Sequence, residues 1–315
     1  MLMARLLLML TALILHADED YEITVLATNI SNYGGIGEWS FSAIFENDNE
    51  SVLFDTGFDE NTVLHNATVL NVNLQKVEKV VLSHFHSDHT GGLIKLRESF
   101  MDNYPTAFTK VFIAKGFFEQ RYNASGEPIN GPGGYLRSSD FKTKAESLGI
   151  TFIEVLEQTE IAKNLYITGP VDRNVESYIG PSGIFIKKGN DLIPDIIQDD
   201  QSLGYLTDKG WIMMSGCGHS GIINSGENLK TIKSVPIYGV IGGFHLWRAS
   251  NQVLTDTSTW LKNSGLKKFM GGHCTGIQSA ITISDFIGIP KENLSHTAVG
   301  SKLTKDLKII RSSVE

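Results

Sequence analysis

His84-Phe85-His86-Ser87-Asp88-His89 puts three of the chain's nine histidines and an aspartate into six residues. Imidazole nitrogens and a carboxylate at this density are metal-ligand chemistry, suited to zinc, iron or manganese. In extended backbone, residues two apart point the same way, so His84 and His86 can grip one ion from a strand end. Asp88 and His89 lie a turn further on and can reach a second ion beside it. The flanking segments fit this task. Val77-Glu78-Lys79-Val80-Val81-Leu82-Ser83 is an apolar, β-branched run that reads as a buried strand. Thr90-Gly91-Gly92 then lets the chain turn tightly into a helix starting near Leu93.

Further along, both cysteines sit beside histidines in Gly-rich segments, Gly216-Cys217-Gly218-His219 and Gly272-His273-Cys274-Thr275. In an exported protein such a pair could be one disulfide. Their placement favours free thiols close to the metal site. His245 follows a strand at a Gly-Gly turn, where site residues gather at sheet ends. It can serve as a ligand, a proton donor to a leaving group or a substrate contact. Thr275-Gly276 opens a helix whose free N–H groups suit an anion, although capping explains Thr275 equally well.

The chain has 315 residues, 41% of them hydrophobic, enough for a sizeable core. A formal charge of −8 lacks the basic stripe of a nucleic-acid binder, so the expected partner is a small molecule. Arg5 precedes a short apolar run, Leu6 to Leu15, followed by His16-Ala17 and the acidic Asp18-Glu19-Asp20. The run is too short to span a bilayer, which needs about 20 residues, and reads as a secretory signal cleaved after Ala17. Residues 1–17 are thus expected to be a signal peptide, and no stable membrane insertion is expected after cleavage. Asn29, Asn49, Asn66, Asn123 and Asn293 begin Asn-X-Ser/Thr sequons.

Periodicity places strands at Tyr21–Thr28, Trp39–Glu46, Ser51–Asp55, Val77–Ser83 and Val111–Ala114, with helices within Glu60–Leu70 and Leu93–Tyr104. The second half repeats the style. Strands fall at Ile184–Lys187, Leu203–Thr207, Trp211–Ser215, Ile237–Ile241, Lys267–Gly271 and Thr297–Val299. Helices fall around Gly226–Ile232, Gln252–Asn263 and Gly276–Phe286. Two strand-rich halves, each ending in strand–helix alternation, predict an α/β protein with two sheets packed face to face and helices outside. No long linker interrupts residues 18–315, so one domain is expected. Phe117–Ser139 is a long Gly- and Pro-containing segment with Phe117, Phe118, Tyr122 and Tyr135. It is expected to lie over the site as a lid, with Arg121 or Arg137 pairing an anion, the alternative being a mobile surface insertion with no role.

The His-Phe-His-Ser-Asp-His window resembles the HxHxDH signature of the metallo-β-lactamase superfamily, and Phe54-Asp55-Thr56-Gly57 resembles its strand-end FDTG. Other segments resemble one branch, the dihydropteroate-synthase-like proteins of methanopterin biosynthesis. They are Gly216-Cys217-Gly218-His219-Ser220-Gly221-Ile222-Ile223-Asn224, Gly242-Gly243-Phe244-His245-Leu246, His273-Cys274-Thr275-Gly276, Asp199-Asp200-Gln201-Ser202-Leu203 and Glu38-Trp39-Ser40-Phe41-Ser42. The resemblance implies a four-layer αββα sandwich and a binuclear centre of divalent ions, zinc first, with iron or manganese as alternatives. It implies His84, His86 and His219 on one ion, and Asp88, His89 and His273 on the other. Asp55 would support the metal loop from behind. Asp208 belongs to a hairpin turn and cannot be the superfamily's bridging aspartate. Cys217 falls near that place, either as a second-ion ligand or as a residue lining the site.

Two adjacent divalent ions give hydroxide near neutral pH and polarise a carbonyl or phosphoryl oxygen. The expected function is an exported metal-dependent hydrolase of a small-molecule ester, lactone, amide or phosphodiester. Asp88 would orient the nucleophile and His245 would protonate the leaving group. No G-x-S-x-G motif offers a serine nucleophile. The branch resemblance implies another reaction, C–N bond formation between a dihydropterin and a ribosylated aminobenzene phosphate. A third possibility is a non-catalytic metal or ligand binder on the same fold.

Overall fold

A computed structural model describes residues 20–177 and 183–315. The signal-like residues 1–17 lie outside the described residues. Strands of the first half are β1 (Tyr21–Ala27), β2 (Ser42–Asn47), β3 (Ser51–Phe54), β4 (Lys79–Val81), β5 (Lys110–Ala114) and β6 (Thr151–Val155). They are followed by β7 (Thr159–Ala162), β8 (Leu165–Ile167), β9 (Phe185–Lys188), β10 (Asp191–Pro194), β11 (Ser202–Thr207), β12 (Gly210–Ser215), β13 (Ile237–Gly242) and β14 (Lys268–Gly271). Three short strands close the chain: β15 (Leu294–Ser295), β16 (Lys302–Thr304) and β17 (Ile309–Ile310).

One mixed sheet has the order β17-β16-β1-β2-β3-β4-β5-β6, and the other has the order β15-β14-β13-β12-β11-β8-β7. In each sheet an antiparallel part gives way to a parallel part: β3 to β6 in the first, β12 to β15 in the second. Parallel strands need crossovers, and helices supply them. These are α1 (Thr62–Val69), the single turn α2 (Ser87–Thr90), α3 (Leu93–Phe100), α4 (Ser138–Ser147), α5 (Ile222–Ile232), α6 (Asn251–Asn263) and α7 (Ile277–Ile287).

Neighbouring residues of one strand show why the strands read as unbroken apolar runs. Val81 packs with Phe54, Leu203 and Met214 between the sheets. Val80 points the other way and packs with Val63, Leu96 and Phe141 under the helices. Trp211, Leu229, Leu261 and Ile283 form the matching outer cluster on the second sheet. A strand buried on both faces needs apolar residues at every position, each contributing about 1.5–3 kcal/mol. The result is the expected αββα sandwich.

Several expectations need correction. Trp39–Phe41 does not join β2; the Phe41 amide instead donates to the carbonyl of Asp88, tying this segment to the histidine loop. Ile184–Lys187 belongs to a separate ribbon of β9 and β10, outside both large sheets. Thr297–Val299 is not a strand. Thr297 has φ 56°, a left-handed conformation that ends extended pairing, and its amide donates to Ser295 Oγ. The helix α4 begins inside the segment expected to be irregular. The Asn66 sequon is buried, its amide donating to the carbonyls of Leu26 and Ile36, so it offers no free acceptor.

Candidate metal centre

The candidate ligands all follow the carboxyl ends of parallel strands. β4 continues through Leu82 and Ser83 into His84 and His86, and α2 then carries Asp88 and His89. In the second sheet β12, β13 and β14 lie side by side and run on into Cys217 and His219, His245, and His273. Ligand sites gather at such strand ends because the connecting loops there converge. Close approach requires glycine. A Cβ at Gly216 would overlap Ser83 Oγ and Asp55 Oδ2, and one at Gly91 would overlap the Phe58 carbonyl.

Two donor groups result. Asp88, His89, Cys217 and His273 bring ligand atoms within 4.8 Å of one another, as do His84, Cys217 and His219. Cys217 belongs to both. Its Sγ lies 3.2 Å from Nε2 of His89 and 3.2 Å from Nε2 of His273. Asp88 Oδ2 lies 3.6 Å from His89 Nε2 and 3.5 Å from His273 Nε2. His86 flanks the first group, its Nδ1 2.8 Å from Nε2 of His84 and its ring centroid 5.0 Å from that of His219. Asp88 is the accessible donor: its side chain is 19% exposed, against 0% for His89 and His273.

Each group has its own brace. Behind the second, Asp55 Oδ2 lies 2.7 Å from His89 Nδ1, which fixes the tautomer that leaves Nε2 facing the donors. The same carboxylate accepts from the amide and hydroxyl of Ser83, both at 2.7 Å, and Ser83 Oγ contacts His84 Nδ1 at 2.9 Å. The Asp199-Asp200-Gln201 segment links the two ligand loops. Asp199 accepts from the Phe85 amide at 2.8 Å, Asp200 from the Ser220 amide at 2.8 Å, and Gln201 donates to the Leu82 carbonyl at 2.9 Å. Glu38 ties down the loop after Asp55 by accepting from the amides of Phe58 and Asp59.

Burial and charge set the proton inventory. Burial pushes His84, His219 and His273 below the usual histidine range, and neighbouring histidines push further. His86 falls to about 3, chiefly by burial. His89 goes the other way, up to about 9: burial opposes this, but Asp88 and Asp55 outweigh it. Burial raises the Cys217 thiol, so it ionises only against a cation. Cys217 and Cys274 are free thiols with their sulfurs 3.3 Å apart.

The sequence profile of the metallo-beta-lactamase superfamily matches residues 40–227. The chain belongs to the metallo-beta-lactamase superfamily. It is 29% identical over 232 residues, 72% of this chain and 76% of the relative, to the 7,8-dihydropterin-6-methyl-4-(beta-D-ribofuranosyl)-aminobenzene-5'-phosphate synthase of Methanocaldococcus jannaschii. It is 30% identical over 263 residues, 83% of this chain and 93% of the relative, to the uncharacterized protein MJ0448 of the same organism. Among solved structures, Tm1679, described as a metal-dependent hydrolase of the beta-lactamase superfamily, has a TM-score of 0.72 at 26% identity. That match covers 90% of this chain and 98% of the other.

The donor chemistry fits the superfamily's metal sites. Imidazoles, one thiol and one carboxylate form an N/S/O set suited to zinc or iron and less to magnesium or calcium. The structure brings His84, His219, Asp88, His89 and His273 into the expected two groups, with His86 beside the first. Asp55 stands where a supporting carboxylate was expected, and Asp208 lies in the β11–β12 turn beside Lys209. His65 donates to the Gly34 carbonyl, away from the donors. Cys217 lies between both groups, which its i, i+2 spacing to His219 at a strand end could have signalled. Of the segment expected to form a lid, the Pro132–Gly134 turn lies against α2, where the Gly133 amide donates to Thr90 Oγ1 at 2.7 Å, but other parts are core. Arg121 is buried, paired with Asp195 and Asp199, and stacked 3.8 Å over Phe85, so it braces the histidine loop from beneath. Phe117 is core, and Tyr135 packs on Phe141 in the helix layer. The exposed aromatics near the donors are Trp39, 5.0 Å from His273, and Trp247, 5.6 Å from Trp39.

Proposed function

We propose that the protein is a metal-dependent hydrolase acting on an ester, lactone, amide or phosphodiester of a small molecule. The observation that carries this reading is the pair of donor groups sharing Cys217, with Asp88 as their solvent-facing member. Divalent ions held there would supply Lewis acidity to a substrate oxygen and acidify water. His84 and His219, with His86 beside them, would hold one ion, and Asp88, His89 and His273 the other. Asp88 would also orient the attacking water by accepting its hydrogen bond. His245 stands beside His219, ring centroids 4.7 Å apart, and burial pushes its pKa below the usual range against the pull of Asp88. It is therefore neutral at pH 7 and gives the leaving group only a proton it has first received. The similarity to Tm1679 supports hydrolysis. The apolar run before Ala17 supports export.

A second reading, a C–N bond-forming synthase, is favoured by the 29% identical relative and its printed name. The two are separated by assaying metal-loaded protein on lactones, thioesters, phosphodiesters and β-lactams, alongside a dihydropterin with a ribosylated aminobenzene phosphate. Turnover of a hydrolysable class, abolished in Asp88→Ala, supports the hydrolase. Condensation without any hydrolysis overturns it.

A further inference from the structure

The loop after β13 carries more than His245. Phe244, Leu246 and Val253 line a cleft of about 310 Å³, faced by Ile222 at the start of α5. This is the lower end of small-molecule pockets. His245 is part of the lining, and its ring lies 4.7 Å from that of His219, so the cleft adjoins the first donor group. The wall beside α5 is tied in place. Asn224 accepts from the amides of Val175 and Glu176, and the Glu176 carboxylate accepts from the Ile223 amide at 2.6 Å. Glu176 lines the cleft too, with its Oε1 taken up by the helix end. Arg248 supplies the cation. It lines the cleft, lies 4.0 Å from the Trp247 ring centroid, and makes no ion pair among the described residues. Arg248 is exposed at the rim of this apolar cleft, where a guanidinium without an ion pair among the described residues favours an anion.

We propose that this cleft binds the leaving part of the substrate, and that this part is an apolar group ending in an anion. Phe244, Leu246, Ile222 and Val253 face the apolar part, and Arg248 pairs the anion at the rim. That the bound part is the leaving one rests on the hydrolase reading; that the cleft binds an apolar anion does not.

Binding of 4-phenylbutyrate and its neutral analogue 4-phenylbutanol to the metal-loaded full chain, followed by calorimetry, tests this without turnover. Arg248→Glu should weaken the carboxylate at least about tenfold, the scale of a lost charged hydrogen bond, and barely move the alcohol. Val253 is 42% exposed, so Val253→Trp should fill the cleft without disturbing the core and weaken both ligands at least about tenfold. Metal content measured on each variant controls for folding. A carboxylate that binds equally well to both variants sits on the metal, and that overturns the proposal, as does no binding to the wild-type protein. Absence of hydrolysis with binding intact would overturn the hydrolase reading and leave the cleft standing.

Discussion

In the first donor group His84 and His219 are neutral imidazoles held by burial, whereas in the second His89 carries a proton because Asp55 and Asp88 stand against it. Both groups draw on one sulfur, Cys217. Both must release the Cys217 proton to take a cation, and the second must release that of His89 as well. The second also holds the partly exposed Asp88, so it faces solvent, while the first adjoins His245 and the cleft. The difference teaches a division of labour: one group fixed by packing, the other poised by charge.

The hardest test of that division removes what the groups share. Cys217→Ala should weaken retention of both ions, by more than the roughly 10–100-fold typical of a supporting residue. By contrast, His84→Ala and His273→Ala should each strip one ion and leave the other. Metal analysis after dialysis against a mild chelator reads all three variants. If Cys217→Ala loses one ion only, the sulfur is not shared.

Next comes pH. Metal competes with protons for its ligands. With His89 at about 9, an ion entering the second group at pH 7 displaces one proton that the first group does not carry. Affinity should therefore rise with pH about tenfold per unit more steeply at the second group than at the first, between about pH 6 and 9. Chelator-competition titrations of His84→Ala and His273→Ala isolate the two slopes. Asp55→Asn should move the bend of the steeper curve to lower pH. Equal slopes would contradict the charge difference.

The histidine window was legible because its logic is local. A β-branched run, histidines two apart and a Gly-Gly turn encode the strand, the ligands and the exit in one stretch. The αββα layering was legible for a similar reason: strands buried on both faces must be apolar throughout, as Val80 and Val81 are. What the sequence did not disclose depends on contacts across long separations. Arg121 reads as a free cation in a loop until Asp195 and Asp199 are seen enclosing it. Phe117 and Tyr135 read as a lid because the missed α4 hides the helix layer they pack into. The cleft is lined from both the start of α5 and the β13–α6 loop, so it has no signature in either segment alone.

A separate effect, on stability and not on metal retention, concerns the brace on the first group. Burial lifts Asp200 to about 6 from 3.8, although the Ser220 amide pulls it back, and its Oδ1 has no hydrogen-bond partner among the described residues. The folded protein thus binds more protons than the unfolded chain between these values, so stability falls as pH rises from about 4 to 6. A shift of this size is worth about 3 kcal/mol. Asp200→Asn keeps an acceptor for Ser220 and should flatten that part of the stability curve in urea titrations. An unchanged pH dependence would show that Asp200 is ionised throughout.

The central claim is that these two groups hold two ions at once. Elemental analysis of the full chain, purified without chelator, saturated with zinc and desalted, tests it most directly. Close to two zinc ions per chain is the predicted result, falling to about one in His84→Ala and in His273→Ala. A wild-type value that stops at one or below would contradict it.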